Sequence, residues 1–298
     1  MTDRPKPHRS ATDWMARRAF LAGALTAATA VALPRQAEAA PLAKVRETGV
    51  LRVAVYADNR PWSWVEGGVV RGIDADLARA MAEKIGVRAE VIAFMPGDDI
   101  AADLRNTVWR GGLLGFQVCD VMMHVPFDRQ IMIENDQVAI LGPYYREGFA
   151  MACGNEQSDC EVPPAQLHGR RLAAETATVS DEYLLTAFGG VLRNDVHHYR
   201  GGYEATEAVV EGKADAVLAT RAQVEAALHD RPQNAVHRRK GPIPALFSPG
   251  WDIAMAVKDN SRTLGDLLEN SIVEMTKNGR IESIFAQYGV AWHAAVAA

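Results

Sequence analysis

Apolar and polar positions alternate along Leu51-Arg52-Val53-Ala54-Val55, the period-two pattern of a strand, and a turn-rich stretch from Asp58 to Gly72 comes next. Ile73, Leu77, Met81 and Ile85 then recur every four residues, which predicts one apolar helical face closed by Gly86. Val87 to Phe94 alternates again as a strand. Asp103 to Arg110 predicts a second helix and Cys119 to Val125 a third strand, and this alternation of element types favours a parallel sheet.

The order then repeats with different residues: strand at Arg171 to Ala174, helix at Ser180 to Leu192, strand at Val196 to Tyr199, helix at Glu204 to Glu211, strand at Ala214 to Ala219. A second α/β lobe is the simplest reading. A weak internal echo supports it, since Gly111-Gly112 precedes Cys119-Asp120-Val121-Met122 much as Gly212 precedes Ala214-Asp215-Ala216-Val217. Pro242, Pro244 and Pro249 interrupt the next stretch of chain. Asp252 to Lys258 is strand-like, and Ser261 is expected to cap a helix carrying Leu264, Leu267, Leu268, Ile272 and Met275.

Composition narrows the class of protein. With 298 residues, 48% apolar and 23% charged, and a mean hydropathy of −0.11, the chain is of ordinary globular make-up. Its net charge of −5 and lack of a basic run give no footprint for nucleic acid. The start is different: Arg4, Lys6, Arg9, Arg17 and Arg18 lead into an uncharged run from Ala19 to Leu33, and Ala37-Glu38-Ala39 is a cleavage-like pattern. This predicts a signal peptide over residues 1–39 and export to the periplasm, by a twin-arginine route that Arg17-Arg18 resembles or by the Sec route. No later segment is long and apolar enough to span a bilayer. An oxidising compartment permits a local disulfide between Cys153 and Cys160, and Cys119, in an apolar run, reads as an inert buried thiol.

The familiar catalytic and metal-binding spacings are missing. There is no G-x-S-x-G, H-E-x-x-H, P-loop or C-x-x-C, so no catalytic residue, no metal and no cofactor are nominated. Neighbouring His197 and His198 fall on opposite faces of a strand, which disfavours joint ligation. Polar and aromatic residues do gather at the ends of predicted strands, where an open α/β sheet has its crevice. Asp58, Trp62 and Trp64 come after the first strand, and the two indoles could form a stacking wall or pack in the core. His124, Asp128 and Arg129 come after the third; the guanidinium could grip a carboxylate or pair with Asp128 or Glu134 at the surface. Thr176, Thr178 and Ser180 precede a helix whose N-terminus could hold an anion, although Thr178 with Asp181 can also form a plain cap. Tyr144-Tyr145, after Gly142-Pro143, reads as structural packing.

Leu51-Arg52-Val53-Ala54-Val55, Pro61-Trp62, Gly72-Ile73-Asp74-Ala75-Asp76-Leu77, Asp120-Val121-Met122, Pro143-Tyr144-Tyr145, Gly212-Lys213-Ala214-Asp215 and Gln287-Tyr288-Gly289, in this order, resemble family 3 periplasmic solute-binding proteins. The resemblance implies a two-lobed type II binding-protein fold, each lobe a mostly parallel sheet flanked by helices. One lobe would span 50–146 plus 249–298 and the other 147–248. It also implies a non-enzymatic protein, expected as a monomer, that captures a small polar or anionic, amino-acid-like solute for an ABC importer permease. Where family members hold the ligand ammonium with Asp, this chain has Thr220, and the stretch before Arg129 is His124-Val125-Pro126-Phe127, so an ordinary α-amino acid is not implied. The segments Leu104-Arg105-Asn106-Thr107, Cys119-Asp120-Val121-Met122 and Pro143-Tyr144-Tyr145-Arg146 resemble the J proteins of periplasmic quinoprotein dehydrogenases, which implies an accessory role beside a PQQ-dependent methanol or alcohol dehydrogenase instead. A more remote resemblance is to cyclohexadienyl dehydratases, which would make the chain an enzyme.

Overall fold

The computed structural model describes residues 42–112, 115–154, 160–231 and 236–297. The signal peptide expected over 1–39 lies outside them. A short helix, α1 (Leu42–Thr48), leads into β1 (Val50–Tyr56). Leu51, Val53 and Val55 of this strand join one buried cluster and Ala54 another, because helices cover both faces of the sheet. A small three-stranded sheet comes next, made of β2 (Asp58–Asn59), β3 (Ser63–Glu66) and β4 (Val69–Arg71). It fills the stretch that the sequence presents only as turns.

Helix α2 (Ile73–Ile85) buries Ile73, Leu77, Met81 and Ile85 as their spacing predicts, and left-handed Gly86 (φ 82°) ends it. Gly72, at φ 119°, sits against the Trp62 carbonyl, where a Cβ would collide. Next come β5 (Arg88–Phe94) and α3 (Ile100–Leu104), which runs on as a π-helical turn over Arg105–Trp109. The second helix thus starts earlier than its apolar pattern indicates, because the Asp99 side chain accepts from the Ala102 N–H and caps it there. The first sheet is completed by β6 (Val121–Pro126), with α4 (Arg129–Glu134) after it, by β7 (Val138–Glu147), and by β13 (Trp251–Lys258) from far along the chain. Its order is β5-β1-β6-β13-β7.

The second sheet is built alike, in the order β10-β9-β11-β8-β12. It contains β8 (Phe149–Cys153), β9 (Leu172–Glu175), β10 (Val196–Tyr199), β11 (Ala216–Thr220) and β12 (His237–Arg238), with α5 (Val179–Gly190), α6 (Gly202–Val210) and α7 (Arg221–Asp230) between. In each sheet one strand runs against the other four: β13 in the first and β8 in the second. Each reversed strand is the one that enters from the other lobe. The two passages run side by side, since Trp251 pairs with Glu147, and Gly250 (φ 86°) packs on the Glu147 carbonyl so closely that no Cβ fits. This is the two-lobed type II binding-protein fold.

Two helices close the chain, α8 (Arg262–Lys277) and α9 (Arg280–Ala286). Leu264, Leu268, Ile272 and Met275 are buried as expected, whereas Leu267 is only partly so. Ser261 makes no side-chain cap; its hydroxyl turns to Asn260 Oδ1 at 3.4 Å instead. Cys153 and Cys160 are joined as a disulfide at the end of β8. Cys119 is wholly buried, and burial pushes its thiol up to about 12, which keeps it protonated and inert. His198 Nε2 lies 3.0 Å from Asp181 Oδ1, and among the described residues no cluster of His, Cys, Asp or Glu could hold a metal ion. No helix among them is long and apolar enough to cross a membrane.

Candidate functional site

The C-terminal ends of β9 and β11 face the first lobe across a cavity of about 250 Å3. Asn59 and Trp251 line it from one side; Phe149, Glu175, Thr178, Ser180, Thr220 and Gln223 line it from the other. Its centre of charge is Glu175, the last residue of β9. This carboxylate accepts from the Gly202 N–H at 2.9 Å and from Gln223 Nε2 at 3.1 Å. Burial raises its pKa, the two hydrogen bonds counter part of that rise, and Glu204 and Asp58 add to it. A Cβ at Gly202 would fall 2.8 Å from the Ala219 Cβ and against the Gln223 side-chain amide, which favours glycine there.

Thr178 and Thr220, both singled out in the sequence, reach the cavity but spend their hydroxyls on caps. Thr178 Oγ1 donates to the Glu175 carbonyl at 2.7 Å and accepts from the Asp181 N–H at 3.3 Å. Thr220 and Gln223 form a reciprocal capping box at the start of α7. Ser180 lies buried in the first turn of α5 against the same cavity. Asp58 stands at the rim, 3.5 Å from Arg200 of the second lobe, in a narrow polar gap that also holds Arg60 and Glu204.

The other nominated residues sit elsewhere. Trp62 is 2% exposed, so it is a core residue of the first lobe and no stacking wall: its ring contacts His124 at 4.8 Å, Tyr145 at 5.1 Å and Phe285 at 5.8 Å. Trp64 carries the Arg60 guanidinium 4.4 Å above its ring and meets Tyr288 edge-on, outside the cavity lining. His124 adopts a left-handed backbone (φ 63°) and belongs to a buried polar cluster. Its N–H donates to the Tyr144 hydroxyl at 3.1 Å, that hydroxyl donates to Asp74 Oδ1 at 2.6 Å, and His124 Nδ1 lies 3.3 Å from Asp74 Oδ2. Arg129 is exposed at the start of α4, just past the end of β6, and is not among the residues lining the cavity.

Glu175, Gln223, Asn59, Phe149 and Trp251 escape the sequence reading. For Glu175 a signal exists: an acidic residue directly after the apolar run Leu172-Ala173-Ala174 marks a strand end in the same way as the threonines after it. Phe149 and Trp251 stand 5.6 Å apart on the two passages, a pairing that only the fold creates.

Residues 51–109 match the model of the family "Bacterial extracellular solute-binding proteins, family 3". The cyclohexadienyl dehydratase of Pseudomonas aeruginosa is 40% identical over 58 residues, which are 19% of this chain and 22% of that protein's length. Solved structures resemble the chain over far more of its length. An ancestral cationic amino acid solute-binding protein superposes with a TM-score of 0.64 at 20% identity, covering 83% of this chain and 99% of its own. An amino acid ABC transporter substrate-binding protein from Streptococcus pneumoniae, bound to L-arginine, gives 0.60 at 18% identity, covering 83% and 97%. The solute receptor for L-cysteine of Neisseria gonorrhoeae gives 0.56 at 20%, covering 84% and 93%. At such identities the likeness is one of fold. The resemblance to family 3 solute-binding proteins therefore stands on a segment match and on the architecture of the whole described chain.

Proposed function

We propose that this protein binds a small amino-acid-like solute between its lobes, 50–146 plus 249–298 on one side and 147–248 on the other, and delivers it to an ABC importer in the periplasm. The observation that carries this reading is the cavity lined from both lobes around Glu175. A half-buried carboxylate there favours a ligand that brings an ammonium or another donor, so the solute is a zwitterion or a cation, not a simple anion. Glu175 takes the role that Thr220 cannot fill. The Arg129 guanidinium, exposed just past the C-terminal end of β6, is assigned to the solute carboxylate on closure. Closing of the lobes around the solute couples binding to a population shift.

The test is a melting-temperature screen with L-amino acids, since stabilisation grows as RT ln(1 + [L]/Kd). L-Arginine, L-lysine and L-cysteine are the first probes. At least one raises the melting temperature, and Glu175→Gln removes that rise while leaving the unliganded melting temperature within a few degrees. A rise that persists in Glu175→Gln refutes the assignment of the cleft.

A second reading has two observations in its favour. Glu175 is a carboxyl whose pKa burial raises, as a general acid requires, and a segment of the chain is similar to a dehydratase. Recovering the solute after incubation and recording its proton spectrum separates the two: a binding protein returns it unchanged, an enzyme does not.

A further inference from the structure

A second cavity, of about 640 Å3, opens on the second lobe beside the first, between α5 and the segment Pro244–Ser248. Val179, Tyr183, Phe188, Ala245, Leu246 and Phe247 make its apolar walls. The cavity is tied together from below, since the Tyr183 hydroxyl donates to the Pro244 carbonyl at 2.6 Å and so fixes the helix to the segment opposite. Helical geometry is interrupted over Ala187, Phe188 and Gly189, and this break sets the centre of the Phe188 ring 6.1 Å from that of Tyr183. Phe188 (φ 54°) and Ala245 (φ 62°) both hold left-handed backbones, one on each wall. Such conformations are costly for residues with a side chain, and they concentrate where binding surfaces are built. Phe247 is 97% exposed and Val179 45%, so the apolar surface lies open to solvent.

Val179 lines both this cavity and the cleft around Glu175, and Ser248 lies three residues before Trp251, which lines the cleft. The two spaces thus share a wall at the first turn of α5. A volume of about 640 Å3 is in the range of small-molecule sites, where apolar walls and few polar groups are the rule.

We infer that this cavity is a subsite for the apolar end of the captured solute, whose charged end is held at Glu175; the solute is therefore an amino-acid-like molecule with a large aromatic or aliphatic extension. The inference rests on the proposed function above. Isothermal titration with L-alanine, L-leucine, L-phenylalanine and L-tryptophan tests it. Affinity rises along the series, by about tenfold or more from alanine to tryptophan, as burial of a large side chain implies. Phe247→Ala, at an exposed position, and Thr186→Trp, which fills the space from an exposed helical position, each remove most of that gain and leave L-alanine binding unchanged. Equal affinities across the series, or a gain that survives both substitutions, overturn the subsite while the cleft reading stands. If neither this series nor L-arginine, L-lysine and L-cysteine bind, or if Glu175→Gln alters the binding of none, the cleft reading falls and the subsite with it; binding of those three without any member of this series overturns the subsite alone.

Discussion

Asp74 is wholly buried, yet it sits one residue inside α2, where a helix N-terminus favours an acidic group. Its other support is the Tyr144 hydroxyl, which bridges it to the His124 N–H. Tyr144→Phe removes a donor and an acceptor at once, so Asp74 Oδ1 loses its hydroxyl donor and the His124 N–H its acceptor, while His124 Nδ1 stays beside Asp74 Oδ2. The expected loss is about 1–3 kcal/mol, read as a lower urea midpoint at an unchanged slope. Glu147 behaves differently. It is 1% exposed at the passage between lobes, and burial pushes its carboxyl up to about 7, against the N–H groups of Gly148 and Ala222 and the nearby Arg221, which lower it. An acid whose pKa is higher in the folded chain binds more protons there than in the unfolded one, so its contribution to stability falls as pH rises from the ordinary glutamate range to about 7 and stays low above. Comparing melting curves at several pH values, Glu147→Gln should flatten that part of the decline, with a relative gain at pH 8 on the order of 1–3 kcal/mol.

At the scale of elements, spacing revealed those whose apolar residues keep a fixed period. The every-fourth pattern of α2 translates directly into one buried face, and in β1 Leu51, Val53 and Val55 share a cluster because they share a side of the strand. Boundaries set by side-chain caps were harder to see: Asp99 draws α3 forward, while Ser261 looks like a cap and is none. The site was legible by location and not by membership. Thr178, Ser180 and Thr220 converge because they lie at or just beyond the ends of parallel strands of one sheet, whereas Trp62 and Trp64 belong to a bent segment that turns the first indole into the core. Glu175 is hidden in the sequence because β9 runs one residue past its apolar run, to Glu175 itself. Gly250 gives the sharpest test at this scale. Gly250→Ala places a Cβ on the Glu147 carbonyl at a positive φ, so it should cost about 2 kcal/mol or more, measured by denaturant unfolding, with Gly68→Ala, at an open turn, costing less.

At the scale of the whole molecule, the last residues cross the join between lobes. The Arg146 N–H donates to the His293 carbonyl, Trp292 Nε1 to the Tyr144 carbonyl, and the Ala291 N–H to Glu225 on α7 of the second lobe. Asp252 Oδ2 accepts from the N–H groups of Val296 and Ala297. The cluster that holds Tyr145 and Phe285 also takes in Ala222 and Ala226 of α7. Ending the chain after Gly289 should therefore lower the melting temperature by several degrees and broaden the distribution of radii seen by small-angle scattering, whereas removing the Cys153–Cys160 disulfide by Cys→Ala should cost about 2 kcal/mol without that broadening. None of these tail contacts has a sequence pattern, since each joins backbone groups to residues far away along the chain.

The position of β13 sets the order in which the molecule can be made. It occupies the middle of the first sheet, between β6 and β7, but it comes after every strand of the second sheet along the chain. During synthesis or translocation the first lobe must wait, with its central slot vacant, until the entire second lobe has emerged, while the second can mature once the chain through Leu246, which packs on its core, has appeared. A nascent chain arrested before Trp251 would thus expose the flanks of β6 and β7, and these are the surfaces a holding chaperone would meet.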